Sequence, residues 1–304
     1  MIKNFEELRQ KALNRNNGGA ARVVSVANAA DREVIETVKE LRRLGIAEAI
    51  LTGERAVIEG MCEELGLDPI PEIVDAEGEA DSAEKAVRLV REGRAHVLMK
   101  GLVNTSTFLR AVLNPEWGVR GEGLLCHLGA FDIPSWPKIQ FHTDAGMIPA
   151  PTVDQKKQMI KQAVEILNRL GIEEPKVAAL AANEVVNPKM PATVEAAQLQ
   201  KWNEEGEITG CIVEGPIALD VALSRQAAEH KKLPSKIAGE TDLFVMPDIE
   251  AGNLVGKTLM FLAGAKMAGI ILGAKCPIVL VSRSDNAEAK INSLAFALAS
   301  LEGE

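Results

Sequence analysis

The sequence lacks closely spaced cysteines and any cluster of histidines. Its four cysteines, Cys62, Cys126, Cys211 and Cys276, stand 64 or more residues apart, and no CxxC pair or histidine group has the spacing of metal ligands. This arrangement disfavours a disulfide framework and a zinc site. We therefore predict reduced, mostly buried thiols and no metal site.

An excess of positive charge is also missing. Lys and Arg number 34 against 43 Asp and Glu, which gives a formal charge of -9 at pH 7. Such a chain repels a polyanion, so the composition excludes bulk nucleic-acid binding. Small phosphorylated ligands remain possible, because a few basic side chains and main-chain amides can hold one phosphate locally.

Long apolar runs are absent as well. The first residues, MIKNFEELRQKALN, are charged and amphipathic, without an apolar signal core, and no later run approaches the length of a membrane span. These features predict a cytosolic protein with no membrane partner.

What the sequence does contain is an alternation of short aliphatic runs with segments of helical period. The runs include ARVVSVA, HVLMKG, KVAALAA, LFVMPD and PIVLVS, and the helical segments are 31–44, 81–92, 153–170 and 192–205. Alternation of this kind is typical of βαβ units, and runs that are apolar on both faces are typical of parallel strands. Since 304 residues are long for one core, we predict an α/β protein of two three-layer αβα domains with a cleft between them.

Ligands of parallel sheets bind outside the carboxyl ends of strands, so polar residues that follow strands are candidates for a site. The run HVLMKG ends in Lys100, and Asn104, Thr105 and Ser106 then open a helix. Hydroxyls and free amides at a helix start suit a phosphate, and the alternative is that Asn104 or Thr105 simply caps the helix.

A second candidate follows LFVMPD, where Asp248, Gly252 and Asn253 precede GKT. The segment resembles a phosphate-binding loop but lacks the required glycine, because Ala251 stands at that position. Gly252 and Asn253 can still bring main chain close to a ligand, and a turn before a helix explains them almost as well.

The third candidate is PIVLVSRSD, an aliphatic run that ends in Ser282, Arg283 and Asp285. A guanidinium matches phosphate oxygens, a serine donates a hydrogen bond, and an aspartate accepts a proton. The alternative is that Ser284 or Asp285 caps a helix over 287–299.

The segments LVNTSTFLRAVL, AANEVVNPKMPATVEA, EGPIALD, VMPDIEAGN and PIVLVSRSD, in this order, resemble the phosphate acetyltransferase and butyryltransferase family. TDAGMIPAP, QKKQMIKQAVE and NPKMPAT are similar to its butyryltransferase branch. The resemblance implies reversible acyl transfer from a coenzyme A thioester to inorganic phosphate, with coenzyme A as a substrate and no metal or redox cofactor. It also implies homo-oligomers and an isocitrate/isopropylmalate dehydrogenase-like fold, with domains at 1–120 with 274–304 and at 121–273.

The family resemblance assigns roles to several residues. Ser282 corresponds to a catalytic hydrogen-bond donor, Arg283 to a phosphate-binding arginine, and Arg110 to a second family arginine. In acetyltransferases a proposed base for the coenzyme A thiol follows the Ser-Arg pair, but an ungapped match leaves an alanine there. Asp285 or Glu288 is then the candidate base.

Three alternatives stay open from the sequence. One is a phosphate acetyltransferase, since acetyl and butyryl groups differ by only two methylenes, which a pocket discriminates weakly. Another is an NAD-dependent decarboxylating dehydrogenase of the same architecture, and the last is a non-catalytic protein that binds coenzyme A.

Overall fold

The computed structural model describes residues 2–14, 21–280 and 286–302, and Ser282, Arg283 and Asp285 lie outside these ranges. Its helices are α1 (Phe5–Asn14), α2 (Arg32–Arg43), α3 (Arg55–Leu65), α4 (Gly78–Arg91), α5 (Thr105–Val112), α6 (Val153–Arg169), α7 (Pro191–Glu204), α8 (Leu219–Leu223), α9 (Arg225–His230), α10 (Ile249–Leu262) and α11 (Ala287–Ala299). Its strands are β1 (Val23–Ala27), β2 (Glu48–Gly53), β3 (Glu72–Asp75), β4 (Val97–Lys100), β5 (Cys126–Asp132), β6 (Gln140–Thr143), β7 (Lys176–Leu180), β8 (Ile212–Ile217), β9 (Leu243–Val245), β10 (Lys266–Leu272) and β11 (Ile278–Val279). The predicted α/β class is confirmed.

The chain divides into two compact units, Phe5–Glu122 with Ala268–Glu304, and Met1–Asn4 with Gly123–Met267. The predicted domains, 1–120 with 274–304 and 121–273, differ from these units at their bounds. That these units are domains stays a prediction.

The unit that begins at Phe5 contains strands in the order β3-β2-β1-β4-β11-β10. The first five run parallel, and β10 is antiparallel to β11. Helix α11 is buried at every position from Ala289 to Ala299, which explains why its apolar residues are not confined to one stripe.

The other unit contains strands in the order β5-β6-β9-β7-β8. Strands β6, β9, β7 and β8 are parallel, and β5 is antiparallel to β6. Helix α6 begins with a capping box, in which Thr152 and Gln155 each accept a main-chain amide hydrogen of the other.

The interpretation of the aliphatic runs as parallel strands is therefore wrong for the pair β10 and β11, and no strand direction was predicted for the antiparallel pair β5 and β6. A parallel pair needs a long crossover, whereas β5 and β6 are joined by residues 133–139, and β10 and β11 by residues 273–277. Such short connections allow only antiparallel neighbours.

In the part of the chain that the structure describes, no helix has the length and apolar character needed to cross a membrane.

Candidate functional site

The carboxyl ends of three neighbouring strands, β1, β4 and β11, lie at one edge of their sheet. In the parallel registers, Ala27 of β1 pairs with Lys100 of β4, and Val279 of β11 pairs with Met99. The residues that directly follow β1 and β4 are therefore placed along one edge, as expected for a ligand site in a parallel sheet.

Lys100, a predicted substrate-binding residue, is the last residue of β4 and is buried. Its Nζ donates hydrogen bonds to the main-chain oxygens of Gly101 (3.2 Å) and Val103 (3.1 Å). The ammonium thus orders the turn between β4 and α5, and the lysine supports the site through the loop that it holds.

Asn28, which the sequence analysis did not single out, ties the end of β1 to that turn. Its φ of 54° is left-handed, its main-chain amide donates to Ser82 Oγ at 2.7 Å, and its Nδ2 donates to the oxygen of Leu102. Asparagine tolerates this conformation better than most residues. The signal in the sequence is an asparagine directly after a buried strand.

The sequence correctly predicts that a helix opens after Asn104. Thr105 and Ser106 are exposed in the first turn of α5, and among the residues described the amides of Thr105, Ser106 and Thr107 meet no acceptor. Arg110 is exposed and lies three and four residues beyond Thr107 and Ser106, which places it on the same helix face. The first turn of α5 therefore carries hydroxyls and amides without an acceptor in the described part of the chain, and Arg110 follows one turn further along the helix.

The N-cap residue Asn104 is held by a residue that sequence reasoning missed. Glu79, in the first turn of α4, accepts hydrogen bonds from Asn104 Nδ2 (2.8 and 3.1 Å) and from the Asn104 main-chain amide (2.9 Å). The sequence carries no obvious signal for this contact, because the two residues lie on different helices.

Glu288, a candidate base, lies in the first turn of α11, where its Oε1 is 3.7 Å from Arg9 Nη2 of α1. The same guanidinium donates to Asn292 Oδ1 at 2.7 Å. The N-cap of α11 is Asn286, which accepts from the amide of Ala289 at 2.9 Å. The interpretation that Ser284 or Asp285 caps this helix is therefore wrong, because the residue directly before the first helical position supplies the cap.

In the other unit, Asp248, Gly252 and Asn253 lie together at the start of α10. Asp248 is the N-cap and accepts from the amide of Ala251 at 2.8 Å. Gly252 is buried against the main chain of Asp144, where an added Cβ would lie 2.6 Å from the carbonyl oxygen, and Asn253 is exposed. Gly252 is thus explained by close packing, and the asparagine beside it is open to solvent.

Asp144 forms the surface on which that helix start rests. Its buried carboxylate accepts main-chain hydrogen bonds from His127 (2.8 Å), Gly146 (2.7 Å) and Met147 (2.8 Å). Buried charges are stable in proteins when donors surround them in this way.

The prediction that the thiols are mostly buried is confirmed for Cys126. The thiol is fully buried, and burial, with a smaller effect of Asp144, raises its pKa to about 12. Among the residues described, no three His, Cys, Asp or Glu side chains are grouped closely enough to hold a metal ion.

Comparison with known proteins places the chain in a family. The profile of the phosphate acetyl/butaryl transferase family matches residues 70–298. The chain is 42% identical over 298 residues to a phosphate butyryltransferase of Clostridium acetobutylicum, covering 98% of each chain. It is also 42% identical over 279 residues to a phosphate acetyltransferase of Thermotoga maritima, covering 91% of this chain and 95% of the relative.

A solved structure with a related sequence has the same fold. The crystal structure of a branched-chain phosphotransacylase from Enterococcus faecalis V583 is 32% identical, with a TM-score of 0.83, and covers 93% of this chain and 100% of that chain. The chain belongs to the phosphate acetyl/butaryl transferase family.

Proposed function

We propose that the protein transfers a butyryl group, or a similar short acyl group, reversibly between coenzyme A and inorganic phosphate. The observation that carries this proposal is the 42% identity over 98% of the chain to a phosphate butyryltransferase. The first turn of α5 supports it, because a phosphate binds well to free helix amides and neighbouring hydroxyls.

In this proposal, phosphate binds at the start of α5. The amides of the first turn and the hydroxyls of Thr105 and Ser106 donate hydrogen bonds, and the positive end of the helix dipole faces the anion. Arg110 supplies positive charge from the same face, and Arg283, assigned by family resemblance, supplies a second guanidinium.

The reaction is a direct attack. A phosphate oxygen forms a bond to the thioester carbonyl carbon, the carbon–sulfur bond breaks, and the sulfur leaves as a thiolate that takes up a proton. Ser282 donates a hydrogen bond to the carbonyl oxygen as negative charge develops there. In the reverse direction Asp285 or Glu288 accepts the thiol proton.

The residues at the start of α10 are proposed to contact the coenzyme A substrate. The Asp248 carboxylate is already occupied by the amide of Ala251, and Gly252 provides close packing. The exposed side chain of Asn253 is therefore the member of this group that reaches a ligand. No metal or redox cofactor takes part in the proposed chemistry, and a cytosolic location stays a prediction.

A phosphate acetyltransferase is the second candidate function. Its support is specific, because an acetyltransferase and a butyryltransferase share the same 42% identity with this chain. A pocket discriminates each methylene by only about 1 to 3 kcal/mol. A rate series from acetyl to hexanoyl coenzyme A, with branched chains included, decides between them.

One assay separates these activities from the other classes. Thiol release is followed with a disulfide reagent, and nicotinamide reduction is followed by its own absorbance. We expect phosphate-dependent thiol release from a short acyl coenzyme A. A dehydrogenase would reduce nicotinamide instead. A non-catalytic binding protein would show a heat of coenzyme A binding in calorimetry but no turnover.

We also propose that a second copy of the chain covers helix α10. Three large side chains on this helix are exposed, Leu254 (67%), Phe261 (78%) and Leu262 (83%), while Gly252 and Gly256 form its buried face. Exposed apolar groups of this size mark interfaces.

A further inference from the structure

Asn104 is the N-cap residue of helix α5, but its side chain does not cap the helix. Asparagine is among the best N-cap residues because its side-chain oxygen accepts an amide hydrogen from the first turn. Asn286 does so at the start of α11. Among the residues described, the Asn104 side chain accepts no such hydrogen from α5, although its main chain has the extended cap conformation (φ −64°, ψ 136°).

The cause of this difference is Glu79. Both of its carboxylate oxygens accept from Asn104 Nδ2, at 3.1 and 2.8 Å, and one also accepts from the main-chain amide at 2.9 Å. A hydrogen bond to a carboxylate is stronger than a neutral one. The pair therefore holds the asparagine amide turned towards α4, away from the amides of Ser106 and Thr107.

The position of Glu79 makes this arrangement stable. It lies in the first turn of α4, where the positive end of that helix stabilises a carboxylate. The negative charge is thus placed on a neighbouring helix rather than in the first turn of α5.

We propose that Glu79 is a positioning residue for phosphate, which keeps the first amides of α5 open by preventing Asn104 from capping them. This inference rests on the proposed function, because it assumes that phosphate binds at that helix start. Without Glu79, the Asn104 side chain rotates so that its Oδ1 accepts hydrogen bonds from these amides, and an incoming phosphate must then displace it.

The test is a double-mutant cycle with Glu79→Ala, Asn104→Ala and the combined variant. KM for phosphate and for acyl coenzyme A, kcat at saturating phosphate, and binding of inorganic phosphate by calorimetry are measured for each. For Glu79→Ala we expect KM and Kd for phosphate to rise about 3- to 10-fold, the factor set by one cap hydrogen bond. KM for acyl coenzyme A changes little.

The combined variant distinguishes this role from a merely structural one. If Glu79 acts by restraining Asn104, the combined variant has the phosphate KM of Asn104→Ala alone, because no side chain remains to close the amides. Glu79→Gln, which keeps an acceptor for Asn104, gives a smaller rise than Glu79→Ala. Glu84→Ala is the matched control, since Glu84 lies on the same helix and pairs with Arg88.

Two results overturn the proposal: an unchanged phosphate KM in Glu79→Ala, or a rise that persists undiminished in the combined variant. If Glu79→Ala does not fold, the same comparison is made with Glu79→Gln, alone and combined with Asn104→Ala. The proposed function fails separately, if the wild-type protein releases no thiol in a phosphate-dependent way. Phosphate calorimetry on the same variants then still tests the role of Glu79.

Discussion

Gly101 packs directly on the main chain of Asn28. A Cβ added at Gly101 would lie 2.7 Å from the carbonyl oxygen of Ala27 and still closer to that of Asn28. The same two turns are joined by hydrogen bonds from Gly101 N to Ala27 O (2.9 Å) and from Leu102 N to Asn28 O (2.8 Å). The start of α5 is thus positioned by a close main-chain contact, which leaves no room for a side chain at position 101.

We expect Gly101→Ala to destabilise the protein by about 1 to 3 kcal/mol, because main-chain atoms must move apart. The displaced turn should also raise KM for phosphate. Gly60→Ala is the control: its Cβ meets nothing within 4 Å in the interior of α3, and alanine there should stabilise by about 0.5 to 1 kcal/mol. Urea unfolding measures the free energy of unfolding of both variants. Equal changes in the two variants would contradict this account.

Stability should fall as the pH is lowered, because His142 is buried in its neutral form. Burial, with a smaller effect of His127, lowers the pKa of His142 to about 3. The ring lies between Phe131 and Phe244, with centroid distances of 4.7 and 5.1 Å. Between about pH 6.5 and pH 3 the unfolded chain binds a proton that the folded chain does not, so stability is lost there.

The measurement is urea unfolding of the wild type and His142→Gln between pH 7 and pH 4. The wild type should lose up to about 1.4 kcal/mol more per pH unit than the variant below pH 6. His230→Gln, at an exposed position of α9, is the matched control and should keep the wild-type slope. Parallel curves for His142→Gln and the wild type would remove His142 as the cause.

The native protein should not react quickly with thiol reagents. Burial raises the pKa of Cys126, Cys211 and Cys276 to about 12 and also raises that of Cys62, and all four thiols are free and buried. The thiolate is the reactive form, so labelling should be slow at pH 8. A disulfide reagent should detect four thiols after unfolding and almost none before it. Rapid labelling of the native protein would show that the thiols are not buried.

Phe261→Glu should convert an oligomer into a smaller species, because a charge replaces the exposed aromatic side chain of α10. Light scattering coupled to gel filtration gives the mass. Val185→Glu is the control, since Val185 is 71% exposed outside α10. A monomeric wild type, or an unchanged mass for Phe261→Glu, would contradict the proposed interface.

Much of the fold follows from local patterns in the sequence. The stripe over 153–170 is helix α6, the buried runs are strands, and the range 287–299 is helix α11. Hydrophobic period and capping residues specify these elements locally. The antiparallel pairs were missed because strand direction depends on the connections, and the short runs CHLGAFD and QFHT lie among turn residues that hide them.

The candidate site was predictable only in part. The pattern of a polar residue after a buried strand correctly predicted that Asn104, Thr105 and Asp248 lie at helix starts. Glu79 and Asn28 were missed because their contacts join segments 25 and 74 residues apart. The asparagine after a buried strand marks Asn28 itself, but no local pattern identifies the distant partner of either residue. The roles of Ser282, Arg283, Asp285 and Glu288 stay predictions from family resemblance.

The central claim is direct transfer of an acyl group from coenzyme A to phosphate. It is tested most directly by initial rates of thiol release with butyryl coenzyme A and phosphate varied together. A direct attack in a ternary complex predicts intersecting double-reciprocal lines and acyl phosphate formed in equal amount to free thiol. Parallel lines, with exchange of labelled coenzyme A into butyryl coenzyme A in the absence of phosphate, would show a covalent acyl-enzyme and contradict the account.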